Sequence, residues 1–332
     1  MSDHHRFHPP FWARGGHIQT LLGHFLRKGC ELTEGKDVDI PLPDGDMLAA
    51  HLHMGESDTV VYLFHGLGGS ICSGYMIRTA KLCQDLGHTV FRVNHRGCGR
   101  GSELPHKYPY HSGRGEDLSE AIAFGRKMFP QKRHVAVGFS LSGNALLLLA
   151  SGERGTIQPD AAIAVNAPIE LAVASKKLTQ GLNRLYGFVF VQDCRRDVVN
   201  KQKKGWLSKD LKVPFFTNIA EFDELYTGPQ AGFKNRDHYY EVCSAAPHLH
   251  RIEIPTVLIT AKDDPFVDVN GYLKAKLSPT TRLVVSETGG HMGYLMQGKR
   301  WFRHSHWLED QIARSFKELG FPSRKQEPSH EA

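Results

Sequence analysis

The 332-residue chain lacks most of the features that assign a sequence to a special class at once. Its longest apolar run, Ala145 to Ala150, falls far short of the roughly 20 residues that span a bilayer. The opening MSDHHRFHPPFW has no apolar h-region, so no secretory signal is expected. The 6 cysteines are scattered and no two are separated by just two residues, which leaves neither a zinc knuckle nor a redox pair. A chain this long needs no disulfide framework, so reduced thiols in a cytoplasmic setting are the expectation. Charge of one sign is in small excess, +6 from 41 basic and 35 acidic residues, too little to point to a nucleic-acid partner. The densest basic run, Lys201, Lys203 and Lys204 beside Arg195 and Arg196, reads as a solvated helix face, with an anionic partner or phospholipid surface as the alternative. His4, His5 and His8 could take up a metal adventitiously, but Pro9, Pro10 and the terminal position argue for disorder there. No metal or organic cofactor is implied. Internal repeats and low-complexity tracts are missing as well.

What is present is enough apolar residue, 40% of the chain, for one large core. Val38 to Leu42 and Met47 to Met54 flank Pro43-Asp44-Gly45-Asp46 and read as a hairpin. An alternation then begins. Strands are expected at Thr59 to Phe64, Thr89 to Val93, His134 to Val137, Ala161 to Val165, Thr256 to Thr260 and Arg282 to Val285. Helices are expected at Tyr75 to Leu86, Glu116 to Phe129, Ser142 to Ala150 and Trp307 to Leu319. The second of these shows Leu118, Ile122 and Met128 on an apolar side. Strands alternating with helices imply an α/β fold, a mostly parallel sheet covered on both faces. The aromatics Phe7, Phe11, Trp12 and Phe25 suggest that the first 35 residues pack on that body. The rhythm breaks between about Ile169 and Arg251, a basic and aromatic stretch that reads as helices laid over the sheet edge as a lid, with a second packing layer of no gating role as the alternative. The expected division is therefore a core of residues 1–168 and 252–320, a helical insert at 169–251 and a polar tail at 321–332.

The chemistry is carried by Gly138-Phe139-Ser140-Leu141-Ser142-Gly143-Asn144. A strand ends, a serine sits between small residues and a helix begins, the context of a nucleophile elbow. Small residues are needed at 138 and 142 because the backbones nearly touch. Position 142, usually glycine, is serine here, which weakens the motif; the alternative reading of Ser140 is an ordinary helix N-cap after a strand. A serine hydroxyl needs an adjacent base near neutral pH. His291, in Gly289-Gly290-His291-Met292-Gly293 just after the last strand, would serve. The base needs a carboxylate to fix its tautomer, and Asp263 and Asp264 both follow the strand Thr256 to Thr260; Asp264 is favoured and Asp263 stays open. The chain order Ser140, acid, His291 is that of α/β-hydrolases rather than of chymotrypsin or subtilisin. Backbone amides must also face the oxyanion of acyl transfer. Leu141 N–H follows the nucleophile, and Leu67 N–H lies in the glycine-rich Phe64-His65-Gly66-Leu67-Gly68-Gly69-Ser70. That loop could cradle phosphate instead, yet GxGxxG and GxxxxGK[ST] are both absent here. His65 suits ordering that loop better than proton transfer. Asn94-His95-Arg96-Gly97-Cys98-Gly99 follows another strand and reads as a tight turn, or as pocket floor; no base is placed for Cys98 as a nucleophile.

Taken together, these segments resemble the YheT-like branch of the α/β-hydrolases. The resemblance rests on His65-Gly66-Leu67-Gly68-Gly69, the Ser140 segment, Asp263-Asp264-Pro265-Phe266, Gly290-His291-Met292-Gly293 and the early Gly16-His17-Ile18-Gln19-Thr20. It covers roughly residues 7 to 320. It implies a serine carboxylesterase-like enzyme with Ser140, Asp264 and His291 as the triad; eukaryotic relatives include medium-chain ester-forming acyltransferases and phospholipid-directed members. The serine at 142 puts the rate, rather than the nucleophile, in question. The expected function is hydrolysis of a small-molecule ester with a short- to medium-chain apolar acyl group, without nucleic acid. A peripheral membrane contact is left open. Acyl transfer to an alcohol would use the same acyl-enzyme, and a binding protein on a hydrolase scaffold is the reading from another class.

Overall fold

The computed structural model describes residues 7–26, 31–298 and 304–321. Eight strands form one sheet: β1 (Lys36–Pro41), β2 (Met47–His53), β3 (Thr59–Phe64), β4 (Thr89–Asn94), β5 (Arg133–Phe139), β6 (Ala161–Val165), β7 (Thr256–Ala261) and β8 (Thr281–Ser286). Their order is β1-β2-β4-β3-β5-β6-β7-β8. The first two are the expected hairpin, β2 meets β4 antiparallel, and β4 through β8 pair in parallel. The described helices of the core are α1 (Gly16–Phe25), α2 (Gly74–Asp85), α3 (Gly115–Met128), α4 (Leu141–Ala150), α10 (Val269–Lys274) and α11 (Trp307–Glu318). Between β6 and β7 lie α5 (Leu171–Leu178), α6 (Asn183–Lys203), the short α7 (Ile219–Phe222) and α8 (Gly228–Gln230), and α9 (Arg236–Cys243). A small ribbon pairs β9 (Leu295–Gln297) with β10 (His304–His306).

Period-two alternation divides the strands between two cores. Val61, Leu63, Val135, Val137 and Ile163 face Met76, Ala80 and Cys83 of α2 and Leu308, Ile312 and Phe316 of α11. Val60, Tyr62, Phe64, Ala136 and Ala162 face Leu118, Ala121 and Ile122 of α3 and Ala145, Leu146 and Leu149 of α4. Burial on both faces explains why these strands read as unbroken apolar runs.

Several expectations are corrected. Met128 does not join the apolar side of α3; it is exposed at the end of the helix. Phe7 is buried, whereas Phe11 and Phe25 are exposed. Phe321 belongs to the core rather than to a polar tail: its ring is buried under the Arg133 guanidinium. The rest of that tail lies outside the described residues, as do His4 and His5. Lys201 is not on a solvated face. It is buried, its ammonium donating to Asp197 at 2.6 Å, to Tyr226 Oη at 3.0 Å and to the Tyr108 carbonyl at 3.2 Å. Lys203 and Lys204 are exposed, with the Lys204 ammonium donating to the Ser102 carbonyl at 2.7 Å over the Trp206 ring. Among the described residues, no helix is long and apolar enough to cross a membrane.

Strand order also places the site. β3 sends its crossover to β4 on one side and β5 lies on the other, so the loops after β3 and β5 diverge at the sheet's switch point, where open α/β sheets bind ligands. Leu67 follows β3, and Ser140 follows β5.

Candidate active site

Ser140 occupies the turn between β5 and α4 with φ 51° and ψ −119°. Such a conformation costs a non-glycine residue of order 1–3 kcal/mol and persists where the surroundings enforce it. Two glycines make the turn possible. A Cβ on Gly138 would stand 2.6 Å from the Ser142 carbonyl oxygen, and one on Gly143 would stand 2.9 Å from the Ala167 methyl. The tight positions are thus 138 and 143, not 138 and 142. Ser142 fits because its side chain leaves the turn for a buried polar pocket. There its hydroxyl donates to the His65 carbonyl, and it meets His95 Nε2 at 2.7 Å and Tyr110 Oη at 2.9 Å.

Two side chains reach Ser140 in sequence. His291 Nε2 lies 2.9 Å from Ser140 Oγ, and His291 Nδ1 lies 2.8 Å from Asp264 Oδ2. Of the two neighbouring aspartates, it is Asp264 whose carboxylate meets the His291 ring. Asp264 Oδ2 also accepts from Asn166 Nδ2 at 2.6 Å, and Oδ1 accepts from the amides of Phe266 and Val267 at 2.8 and 3.0 Å. Burial pushes the Asp264 carboxyl up, but the His291 charge and these hydrogen bonds outweigh it and hold the group below the usual carboxylate range. Asp263 turns the other way. It accepts from the Gly290 amide and from Thr288 Oγ1, both at 2.8 Å, and so braces the loop that carries His291.

Sequence reasoning missed several residues that hold this arrangement. Thr20 Oγ1 accepts from the His291 amide at 2.8 Å, and Gln19 bonds both the amide and the carbonyl of Leu295. The quoted Gly16–Thr20 segment is therefore a clamp from α1 onto the histidine loop. Asn166 has φ 47° and connects Asp264 to Tyr294, whose hydroxyl donates to Asn166 Oδ1 at 2.8 Å. Among the described non-glycine residues, positive φ occurs at Ser140, Asn166, Met292 and Tyr294, all in this assembly. A lone asparagine directly after a buried strand was the signal available, since asparagine tolerates that region best.

The loop after β3 is braced as the position of His65 suggested. His65 Nδ1–H donates to the Gly66 carbonyl at 2.8 Å, leaving Nε2 to accept from the His95 amide at 3.3 Å. The Gly66 amide donates to Tyr75 Oη at 3.0 Å. The next amide, Leu67, has no acceptor among the described residues, and Leu141 is the first residue of α4, whose amide has no partner within the helix. Both residues line the cleft that Ser140 and His291 open into, a cavity of about 510 Å³. Helices of the 169–251 stretch wall it with Leu171, Leu178, Phe190, Ile219, Phe222 and Tyr226. The Asn94–Gly99 segment is both a turn and part of the cleft: Gly97 and Gly99 take positive φ, while Arg96 and Cys98 line the wall. Burial pushes the Cys98 thiol up to about 12, which keeps it inert at neutral pH. The 5 described cysteines are free thiols, and no group of three metal-binding side chains occurs among the described residues.

Known proteins share this plan. The family described as alpha/beta hydrolase fold matches residues 59–296. YheT of Escherichia coli (strain K12) is 32% identical over 304 residues, covering 89% of this chain and 88% of YheT. The chain belongs to the α/β-hydrolases, in their YheT-like branch. Within that family, Phospholipase ABHD3 of Homo sapiens is 27% identical over 324 residues, covering 93% of this chain and 78% of that protein. Among solved structures, the esterase Pf2001 of Pyrococcus furiosus superposes with a TM-score of 0.58 at 17% identity, covering 88% of this chain and 98% of that one, a likeness of fold.

Proposed function

We propose that this α/β-hydrolase cleaves carboxylic esters of short- to medium-chain apolar acids through an acyl-enzyme on Ser140. The observation that carries the reading is the unbroken hydrogen-bonded line Ser140 Oγ, His291, Asp264, at 2.9 and 2.8 Å. His291 takes the serine proton as Oγ attacks the ester carbon, and the negative charge passes to the carbonyl oxygen. The Leu67 and Leu141 amides receive it, which is worth on the order of 10²–10³ in rate for each donor. His291 then gives its proton to the departing alcohol. A water molecule enters, His291 deprotonates it, and its attack on the acyl carbon releases the acid and restores Ser140. Asp264 holds the Nδ1–H tautomer throughout and offsets the imidazolium charge.

Aromatic and branched side chains around the cleft support an apolar acyl group, because they supply large apolar area with few polar atoms. The helices at 169–251 act as a cap over that acyl pocket. Turnover of 4-nitrophenyl esters of increasing acyl length, with Ser140→Ala as control, tests this. A rate that peaks at short to medium chains and vanishes in the variant supports the reading; equal turnover in both proteins overturns it.

A further inference from the structure

Two helices beside the cleft are amphipathic in the opposite sense to that of an ordinary surface helix. In α1 the buried residues are Gln19, Thr20 and Gly23, while Ile18, Leu21 and Phe25 face solvent at three- and four-residue spacing. The start of α6 does the same. Gly187 and Val191 are buried, whereas Leu182, Leu185 and Val189 are 65%, 69% and 55% exposed. Phe215 and Phe216 extend this second stripe: both rings contact Phe188 of α6, and Phe216 is 84% exposed. Single exposed apolar side chains are ordinary, but two adjoining stripes mark a contact surface.

The stripes lie together and next to the site. His17 of α1 stacks on Tyr186 of α6 with ring centres 5.8 Å apart. Tyr186 in turn packs on Phe266, and Phe266 lies 4.7 Å from the His291 ring. Charge indicates what the surface meets. No acidic residue occurs between Asp3 and Glu31, nor between Glu170 and Asp193. The same segments expose the cationic side chains Arg14, Lys176 and Arg184. A second copy would bring the same acid-free, cation-bearing segments together, whereas an anionic lipid surface offers apolar depth beneath negative headgroups.

We propose that the face formed by α1, the start of α6 and Phe215–Phe216 docks on anionic lipid surfaces, so that the cleft opens toward a bilayer holding its ester. The use of the surface rests on the esterase reading above, but the docking itself is measured separately. The Ser140→Ala protein, which leaves lipid intact, is sedimented with phosphatidylcholine vesicles with and without phosphatidylglycerol. The expected result is binding to the phosphatidylglycerol vesicles, weakened by salt, and a loss of about tenfold or more when Leu185→Asp and Val189→Asp are added, since each residue gives up burial of an apolar side chain. With Ser140 restored, the same two changes leave turnover of soluble 4-nitrophenyl acetate unaltered.

A Ser140→Ala protein that stays in the supernatant overturns the proposal, as does one that binds equally well after Leu185→Asp and Val189→Asp are added. So does light scattering that shows a dimer for the parent and a monomer for the double variant, because the face would then be occupied by a second copy. Loss of soluble-ester turnover in the parent itself would count against the esterase reading and not against docking.

Discussion

Ser142→Ala tests whether the serine that replaces the usual glycine helps to hold the oxyanion loop. The hydroxyl ties α4 to the His65 carbonyl, immediately before the Gly66-Leu67 amides. Burial holds His95 well below the usual histidine range, so its ring is neutral. With Ser142 donating to the carbonyl, the His95 proton belongs on Nε2, where it donates to Ser142 Oγ. Nδ1 then carries only a lone pair, consistent with its facing no donor among the described residues. Removing Oγ strands a buried N–H, which costs about 1–3 kcal/mol. It also leaves Tyr110 Oη, at 3.2 Å, as the side-chain donor to the His65 carbonyl. For a protein of this size, a loss of about 2 kcal/mol lowers Tm by roughly 3 °C. Because the loop is loosened rather than deprived of a donor, kcat falls by about tenfold, less than the 10²–10³ for losing an oxyanion amide, with KM little changed. Urea unfolding together with kcat and KM on a soluble nitrophenyl ester measures both effects, with the active fraction titrated. An unchanged kcat in a folded variant would refute the tether.

Three other outcomes follow from the same physics. Lys201→Ala removes the buried donor shared by Asp197, Tyr226 and the Tyr108 carbonyl and destabilises the fold by about 1–3 kcal/mol in urea unfolding, whereas Lys203→Ala on the exposed side changes stability by less than about 0.5 kcal/mol. Burial lifts the Asp223 carboxyl to about 6, against hydrogen bonds from Thr227 and Tyr240. An acid raised in the folded state favours folding while protonated, so this contribution, of order 3 kcal/mol, is complete below about pH 4 and is lost as pH rises through 6. Unfolding free energies of the parent should therefore fall relative to Asp223→Asn across that window, and parallel curves would contradict the assignment. Cys98→Ala retains full esterase activity, and iodoacetamide at neutral pH leaves the parent active, because the thiol stays protonated.

The parallel strands were legible because burial on both faces removes polar residues from them, and each candidate site residue follows a strand end. Alternation therefore gave the sheet, and the loops after its strands gave Ser140, the aspartate pair and His291. The choice within the pair was not legible, since adjacent residues in a turn point in opposite directions and only Asn166 and the Phe266 and Val267 amides select Asp264. Helix α1 escaped periodicity because it buries glutamine and threonine, satisfied by the histidine loop, and exposes its apolar stripe. Lys201 differs from the expected solvated face because a run of lysines does not reveal that one of them meets Asp197 and Tyr226 inside. Ser142 counted against the elbow motif because its three polar partners come from distant segments.

The central claim is that Ser140 is the activated nucleophile, and labelling with a fluorophosphonate followed by peptide mapping tests it most directly. One adduct is expected, on Ser140, formed quickly in the parent and at least about 10²-fold more slowly in His291→Ala. An adduct on another residue, or labelling of Ser140 that is indifferent to loss of His291, would contradict it.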